Sequence, residues 1–332
     1  MQAEVLVDWL TFTVTTSKYE NDSHVSVAEY TPQEVIRNFL GMEPGLFQDA
    51  GYGILGYNRV LRFSDILVCY EPRENDYFQN MGVCVSMSGN GCRAFEAMSS
   101  YGPVPFAALF QLLEDTPGSH VSRIDIACDD HAGALDMDKI IEKVQRNEIN
   151  SRMSARSVLV SWDGLYRNGA TVYIGAASSA FRLRIYDKAL EQGTKDHWVR
   201  VEMVMRAEQA NAFVHQVTQG IPIGHLAAQV LNDKFAFIER DDSNISRCSM
   251  CAWWADFVGS LEYLHLVSRP EVQQSVARID RWVIDQVAPS LAVLVETFGI
   301  QHVFEIALSA KDRLTDQQKA LIEDFRRLSD NL

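Results

Sequence analysis

Three short segments of this chain alternate charged and apolar side chains with a period of two, and in each the charged set is rich in arginine. Phe181 to Lys188 reads Phe-Arg-Leu-Arg-Ile-Tyr-Asp-Lys. In a strand, Arg182, Arg184, Tyr186 and Lys188 project to one side, and Leu183 and Ile185 to the other. Ser122 to Asp129 sets Arg123, Asp125, Ala127 and Asp129 against Ile124, Ile126 and Cys128. His197 to Arg206 sets Arg200, Glu202 and Arg206 against Val199, Val201, Met203 and Met205. A carboxylate in mid-strand needs an ionic partner or a metal. Asp125 and Glu202 each have an arginine two residues earlier, so pairing with Arg123 and Arg200 is expected. A phenol among cations is the second expectation: nearby positive charge favours phenolate and offsets the charge of a phosphate under attack. The same pattern also suits a half-exposed tyrosine with no chemistry.

Length and charge narrow the field. A chain of 332 residues is long enough for two domains. No apolar run approaches the ~18 residues of a membrane span, and Met-Gln-Ala-Glu-Val at the start carries no secretory pattern. Six cysteines in a chain of this length suggest reduced thiols and a cytoplasmic location. Cys248 and Cys251 have the CxxC spacing, but no second pair follows to complete a zinc site. The formal net charge of -14 argues against an extended basic surface for nucleic acid. A local basic groove is compatible with it, because the arginines concentrate on the three strand faces.

Along the chain, Val5 to Val14 is a strand whose only charge is Asp8, a third mid-strand acid. Ser17 to Ala28 is loop or a ragged hairpin. Thr31-Pro-Gln-Glu34 has the form of a capping box with proline at the first helical position, and Gly41 closes that helix. Strands near 60–63, 66–70 and 83–87 lead to Gly89-Asn-Gly-Cys-Arg93. That segment is either a tight turn or a set of backbone N–H groups, with Arg93, turned toward a phosphate. Helices are expected at 103–114 and at 136–146 with Asp136 as N-cap, and strands at 155–162 and 170–175. From 207 onward the pattern is helical, at 207–218, 223–232, 250–261, 272–298 and 315–328. The polar run Arg240 to Ser246 reads as a linker. The expected class is α+β, an antiparallel sheet with helices packed on one face, followed by a mainly helical C-terminal region. The expected domains are 1–240 and 247–332.

Common catalytic signatures are missing: no HxH or HExxH pair, no GxxxxGK[ST] loop and no GxSxG elbow. What remains is a tyrosine among arginines, with carboxylates suited to a hard cation.

In that order, Ser122-Arg-Ile-Asp-Ile-Ala-Cys-Asp-Asp130, Thr171-Val-Tyr-Ile-Gly175, Leu183-Arg-Ile-Tyr-Asp-Lys188 and Val199-Arg-Val-Glu202 resemble the replication initiation factor family. Its members are the rolling-circle initiators of plasmids and phages, with related relaxases of mobile elements. Val7-Asp-Trp-Leu10, Gly89 to Arg93 and Trp282 to Leu294 are similar to its phage-type branch. The resemblance implies a tyrosine that attacks one DNA strand, keeps the 5′-phosphate and frees a 3′-OH. It further implies a divalent metal, Mg²⁺ or Mn²⁺, and single-stranded or origin DNA as partner, with a host helicase and a second copy of the chain as others. Carried onto this sequence, Tyr186 is the nucleophile, with Arg184 and Lys188 as charge stabilisers. Asp125 and Glu202 are the metal ligands with Asp8 a weaker third, and Arg182, Arg123, Arg200, Arg206 and Arg93 contact DNA. Relatives often read Gly-Ser-Arg-x-Ser where this chain has Gly175-Ala-Ala-Ser-Ser179. Either Arg182 replaces the lost phosphate contact, or DNA binding is weak, or activity has decayed. The rivals are a non-catalytic DNA-binding protein and a metal-dependent nuclease that uses water.

Overall fold

The computed structural model describes residues 3–14, 17–20, 23–26, 30–73, 81–102, 104–164, 166–264, 279, 283–314, 319 and 322. Two compact units emerge, one from Met1–Thr13 and Ser119–Leu266, the other from Val14–Gly118 and Val267–Leu332. The strands in chain order are β1 (Glu4–Val14), β2 (Ser17–Glu20), β3 (Ser23–Ser26), β4 (Gln48–Asp49), β5 (Tyr57–Phe63), β6 (Ile66–Pro72) and β7 (Val83–Met87). They continue with β8 (Ser119–Asp130), β9 (Ile149–Asn150), β10 (Arg156–Asp163), β11 (Tyr166–Ile174), β12 (Phe181–Asp187), β13 (Val199–Arg206) and β14 (Ala236–Phe237).

In the first unit the sheet order is β10-β11-β12-β13-β8-β1. The pairs from β10 through β8 are antiparallel. The period of two holds: Ile124, Ile126, Cys128, Leu183, Ile185, Val201 and Met203 are fully buried on the apolar face. The helices run α1 (Pro32–Asn38), α2 (Gly89–Met98), α3 (Pro105–Asp115), α4 (Met137–Gln145), α5 (Lys188–Gln192) and α6 (Glu208–Thr218), and α6 packs on β8 and β13, contributing Ala210, Phe213 and Val214 to that core. Helices α7 (Ile223–Lys234) and α8 (Ala252–Leu261) pack together, and Gly224 lets them close up, since a Cβ there would meet the Leu261 carbonyl oxygen at 2.1 Å. An aromatic cluster of Phe235, Phe237, Trp253, Trp254 and Phe257 completes this end. The 240–246 run lies inside this unit, where Asn244 caps a short 3-10 turn. The Ile238–Met250 bridge spans it.

The second unit holds the antiparallel run β7-β6-β5-β4 and the β2–β3 hairpin. Thr31 forms the capping box of the helix Pro32–Asn38, with Glu34 bonded back to the Thr31 backbone N–H. Gly89 begins the helix Gly89–Met98, and Gly91 is there for close packing, because a Cβ would meet the Asp65 carbonyl oxygen at 2.3 Å. The Asp65 carboxylate sits beside this turn, accepting from the Asn90 amide at 3.2 Å. Near the C-terminus, a π-helical turn (Val283–Val287) precedes the helix Ala288–Phe298. Gly299 separates that helix from a further one, Ile300–Ser309, which the sequence pattern did not resolve. Most of the helix expected at 315–328 and most of 272–282 lie outside the described residues.

Candidate active site

Register alone assembles a lattice of charge on the face opposite the helices. Tyr186 of β12 stands beside Arg200 of β13, which stands beside Asp129 of β8. One step along, Arg184 is beside Glu202 and Glu202 beside Ala127; a further step brings Arg182, Val204 and Asp125 into line. At the end of β13, Arg206 is directly opposite Arg123. On the other flank of β12, Thr171 faces Tyr186 and Tyr173 faces Arg184. Tyr186, Asp125 and Glu202 therefore stand on one face of the sheet.

At the centre, the Tyr186 hydroxyl donates to Glu202 Oε2 at 3.4 Å, and the same oxygen accepts from Arg184 Nη1 at 3.4 Å. The Arg184 guanidinium lies over the Tyr186 ring, 4.1 Å from its centroid. Tyr186 is 4% exposed and Glu202 3%. That burial overturns one expectation. Desolvation lifts the Tyr186 hydroxyl well above the ordinary phenol value, outweighing the opposing pull of Arg200 and Arg184, so the phenol is held protonated. Desolvation also pushes Glu202 up to about 7, reinforced by Asp8 and Asp125 and opposed by Arg184 and Arg200.

Pairing differs from the sequence reading in one respect. Arg123 does bind Asp125 through two bonds, Nε to Oδ1 at 2.9 Å and Nη2 to Oδ2 at 2.6 Å. Arg200, however, does not pair with Glu202. It forks onto Asp129, at 2.6 and 2.7 Å, and reaches Asp8 at 3.0 Å. The reason is geometric: residues directly opposite on paired strands are ~5 Å apart, closer than two positions along one strand. Arg200 is therefore a buried structural cation tying β1, β13 and β8 together.

Asp8 reaches this lattice from β1, where Asp8 and Trp9 are half-buried between the buried Val7 and Leu10. Asp8 then meets Arg200, and Trp9 lies under Arg123, 4.2 Å from its guanidinium carbon. Lys188 belongs to the first turn of α5 (Lys188–Gln192), not to the strand. Its ammonium is 5.6 Å from the Tyr186 ring centre and bonds Glu191. Glu191, which the sequence reading missed, also lies 3.9 Å from Arg184. Arg93 is in the other unit, paired with Glu96. Tyr173 is stacked under Arg182, and the Tyr166 side chain lies outside the described residues.

The three expected metal ligands each hold an arginine: Asp125 on Arg123, Asp8 on Arg200, Glu202 on Arg184. Among the described residues, the three ligand groups lying within 4.8 Å of one another are instead Glu4, Asp129 and His131.

The family model for replication initiation factors matches residues 119–310. The chain belongs to the replication initiation factor family. A second model, the N-terminal domain of rolling-circle replication initiation proteins, matches residues 23–112. The chain is 25% identical over 317 residues to the putative DNA relaxase NicK of Bacillus subtilis (strain 168), covering 91% of this chain and 87% of that one. It is also similar to the rolling circle replication initiator protein of Geobacillus stearothermophilus, with a TM-score of 0.71 and 26% identity over 81% of this chain and all of that one. This family member thus shares the initiator fold, an antiparallel sheet with helices. No described helix is long and apolar enough to cross a membrane.

Proposed function

We propose that this family member is a metal-dependent DNA nickase that opens one strand at an origin through Tyr186. The observation that carries this reading is the buried contact of Tyr186, Glu202 and Arg184 on a sheet face shared by arginines and carboxylates. The Tyr186 oxygen forms a bond to the scissile phosphorus and the bond from phosphorus to the 3′ oxygen breaks. The phenol proton passes to the Glu202 carboxylate. The departing 3′ oxygen takes a proton from water, and the 5′-phosphate stays on the tyrosine. Arg184 faces the charge that builds on the phosphate, and Lys188 lies beyond it. A group held protonated by burial but bonded to a carboxylate near neutrality is suited to losing its proton only as it attacks.

The donor chemistry fits a divalent cation. Asp8 and Asp125 both raise Glu202, so three acids crowd within electrostatic reach of one another, and a cation relieves that repulsion. Asp125 and Glu202, with Asp8, would hold Mg²⁺ or Mn²⁺, which supplies Lewis-acid stabilisation of phosphate charge. We favour this set over Glu4, Asp129 and His131 because its Glu202 accepts from the Tyr186 hydroxyl.

One observation favours a second reading. A phenol so strongly disfavoured as phenolate, beside a carboxylate near 7, would also suit a nuclease in which Glu202 activates water. Labelled single-stranded DNA from the protein's own locus, incubated with Mn²⁺, separates the two. The tyrosine reading expects a cut strand whose 5′ end is blocked by protein. A free 5′-phosphate would establish the water-dependent nuclease, and no cleavage would remove both.

A further inference from the structure

Two arginines directly opposite each other on paired strands repel, and such pairs are ordinarily destabilising. Arg206 and Arg123 are such a pair; burial foremost, then Arg123 and Arg182, disfavour the charge on Arg206, against the pull of Asp125. Only Arg123 has a carboxylate in contact, Asp125. Among the described residues Arg182 and Arg206 have none within ion-pair distance, in a protein whose net charge is -14. Arg182 Nε is shut off from water and finds no acceptor there.

The orientation of these side chains is fixed without using up their donors. Arg182 lies over Tyr173 at 4.0 Å and Arg123 over Trp9 at 4.2 Å; with Nε and Nη2 of Arg123 given to Asp125, its Nη1 and the terminal nitrogens of Arg182 remain for a ligand. Arg206 spends one donor on the Ser179 carbonyl at 3.1 Å, which ties it to the 176–179 turn. That turn, Ala176 to Ser179, has no basic side chain of its own, and the backbone tie brings a cation to it from β13.

We propose that Arg123, Arg182 and Arg206 form a phosphate clamp, separate from the nucleophile, that holds a backbone phosphodiester of single-stranded DNA flanking the cut. This rests on the nickase reading and locates a subsite within it. Arg182 is four residues from Tyr186 on the same strand, roughly 13 Å at a strand's rise, so the clamped phosphate lies a few nucleotides from the scissile one. Stacked, partly desolvated guanidinium forks match phosphate oxygens in pairs.

The test is anisotropy of a labelled poly-dT strand over a KCl series, in a Tyr186→Phe background with EDTA so that no adduct forms. Substituting Arg182→Gln or Arg206→Gln should weaken binding and flatten the plot of log affinity against log salt by about 0.7 per lost contact. Arg206→Lys keeps the charge and should retain the slope; this separates phosphate contact from support of the turn. Gln variants that remain folded and keep the parent slope would overturn the clamp. The two readings fail separately. Adduct formation by the Tyr186 protein together with unchanged slopes leaves the nickase and removes the clamp, and flattened slopes without any nicking do the reverse.

Discussion

Replacing Glu202 by glutamine should make the protein more stable above neutrality while abolishing its chemistry. Burial raises this carboxyl from 4.5 to about 7. A carboxyl whose folded value lies above its unfolded one favours the folded state in its protonated form. Its contribution is fully present below pH 4.5, is lost progressively as pH rises, and is gone once pH exceeds about 7. At about 1.4 kcal/mol per unit, the loss over the whole window is roughly 3 kcal/mol, of which roughly 2 to 3 falls between pH 5 and pH 8. Glutamine has no ionisation to suppress, so the variant should escape that loss. Urea unfolding of both proteins at the two pH values, with EDTA present, measures it through the shift in midpoint. Glu202→Gln should gain steadily on the parent as pH rises. A parent and variant whose difference is the same at both pH values would show that Glu202 ionises freely, and the proton-acceptor role would go with it.

Nicking itself should rise with pH through about 7, following ionisation of Glu202, and a profile flat from 6 to 8 would count against that group as acceptor. Arg200→Met should destabilise by about 3–5 kcal/mol, because it strands Asp129, 1% exposed, without its partner, and denaturant unfolding would show it. Asp125→Asn should weaken Mn²⁺ binding to the folded protein, measured by titration calorimetry; unchanged affinity would mean that Asp125 only balances Arg123. Glu191→Gln releases Arg184 and Lys188 from a competing acid and should speed cleavage a few-fold in a gel assay.

Much of this was readable before any coordinates. The polar and apolar faces of β8, β12 and β13 follow from period two, and the Thr31 and Asp136 caps follow from side chains that accept from the first turn. Two things were out of reach. Which carboxylate an arginine chooses depends on register between strands, and this is why Arg200 went to Asp129 and not to Glu202. The phenol's charge state depends on how deeply neighbours cover it, a three-dimensional property that residue types do not encode. Glu191 was missed for a similar reason. Helix α5 turns back beside β12, with Lys188 and Ala189 donating to the Trp198 carbonyl, and so carries Glu191 to Arg184.

The central claim is that Tyr186 becomes bonded to DNA. Intact-mass spectrometry of the protein, after incubation with Mn²⁺ and single-stranded DNA from its own locus, tests this most directly. The account expects a species heavier by one cleaved strand, mapped by peptide digestion to Tyr186 and missing from Tyr186→Phe. An adduct that persists in Tyr186→Phe and maps to Tyr173 or Tyr166 would contradict it.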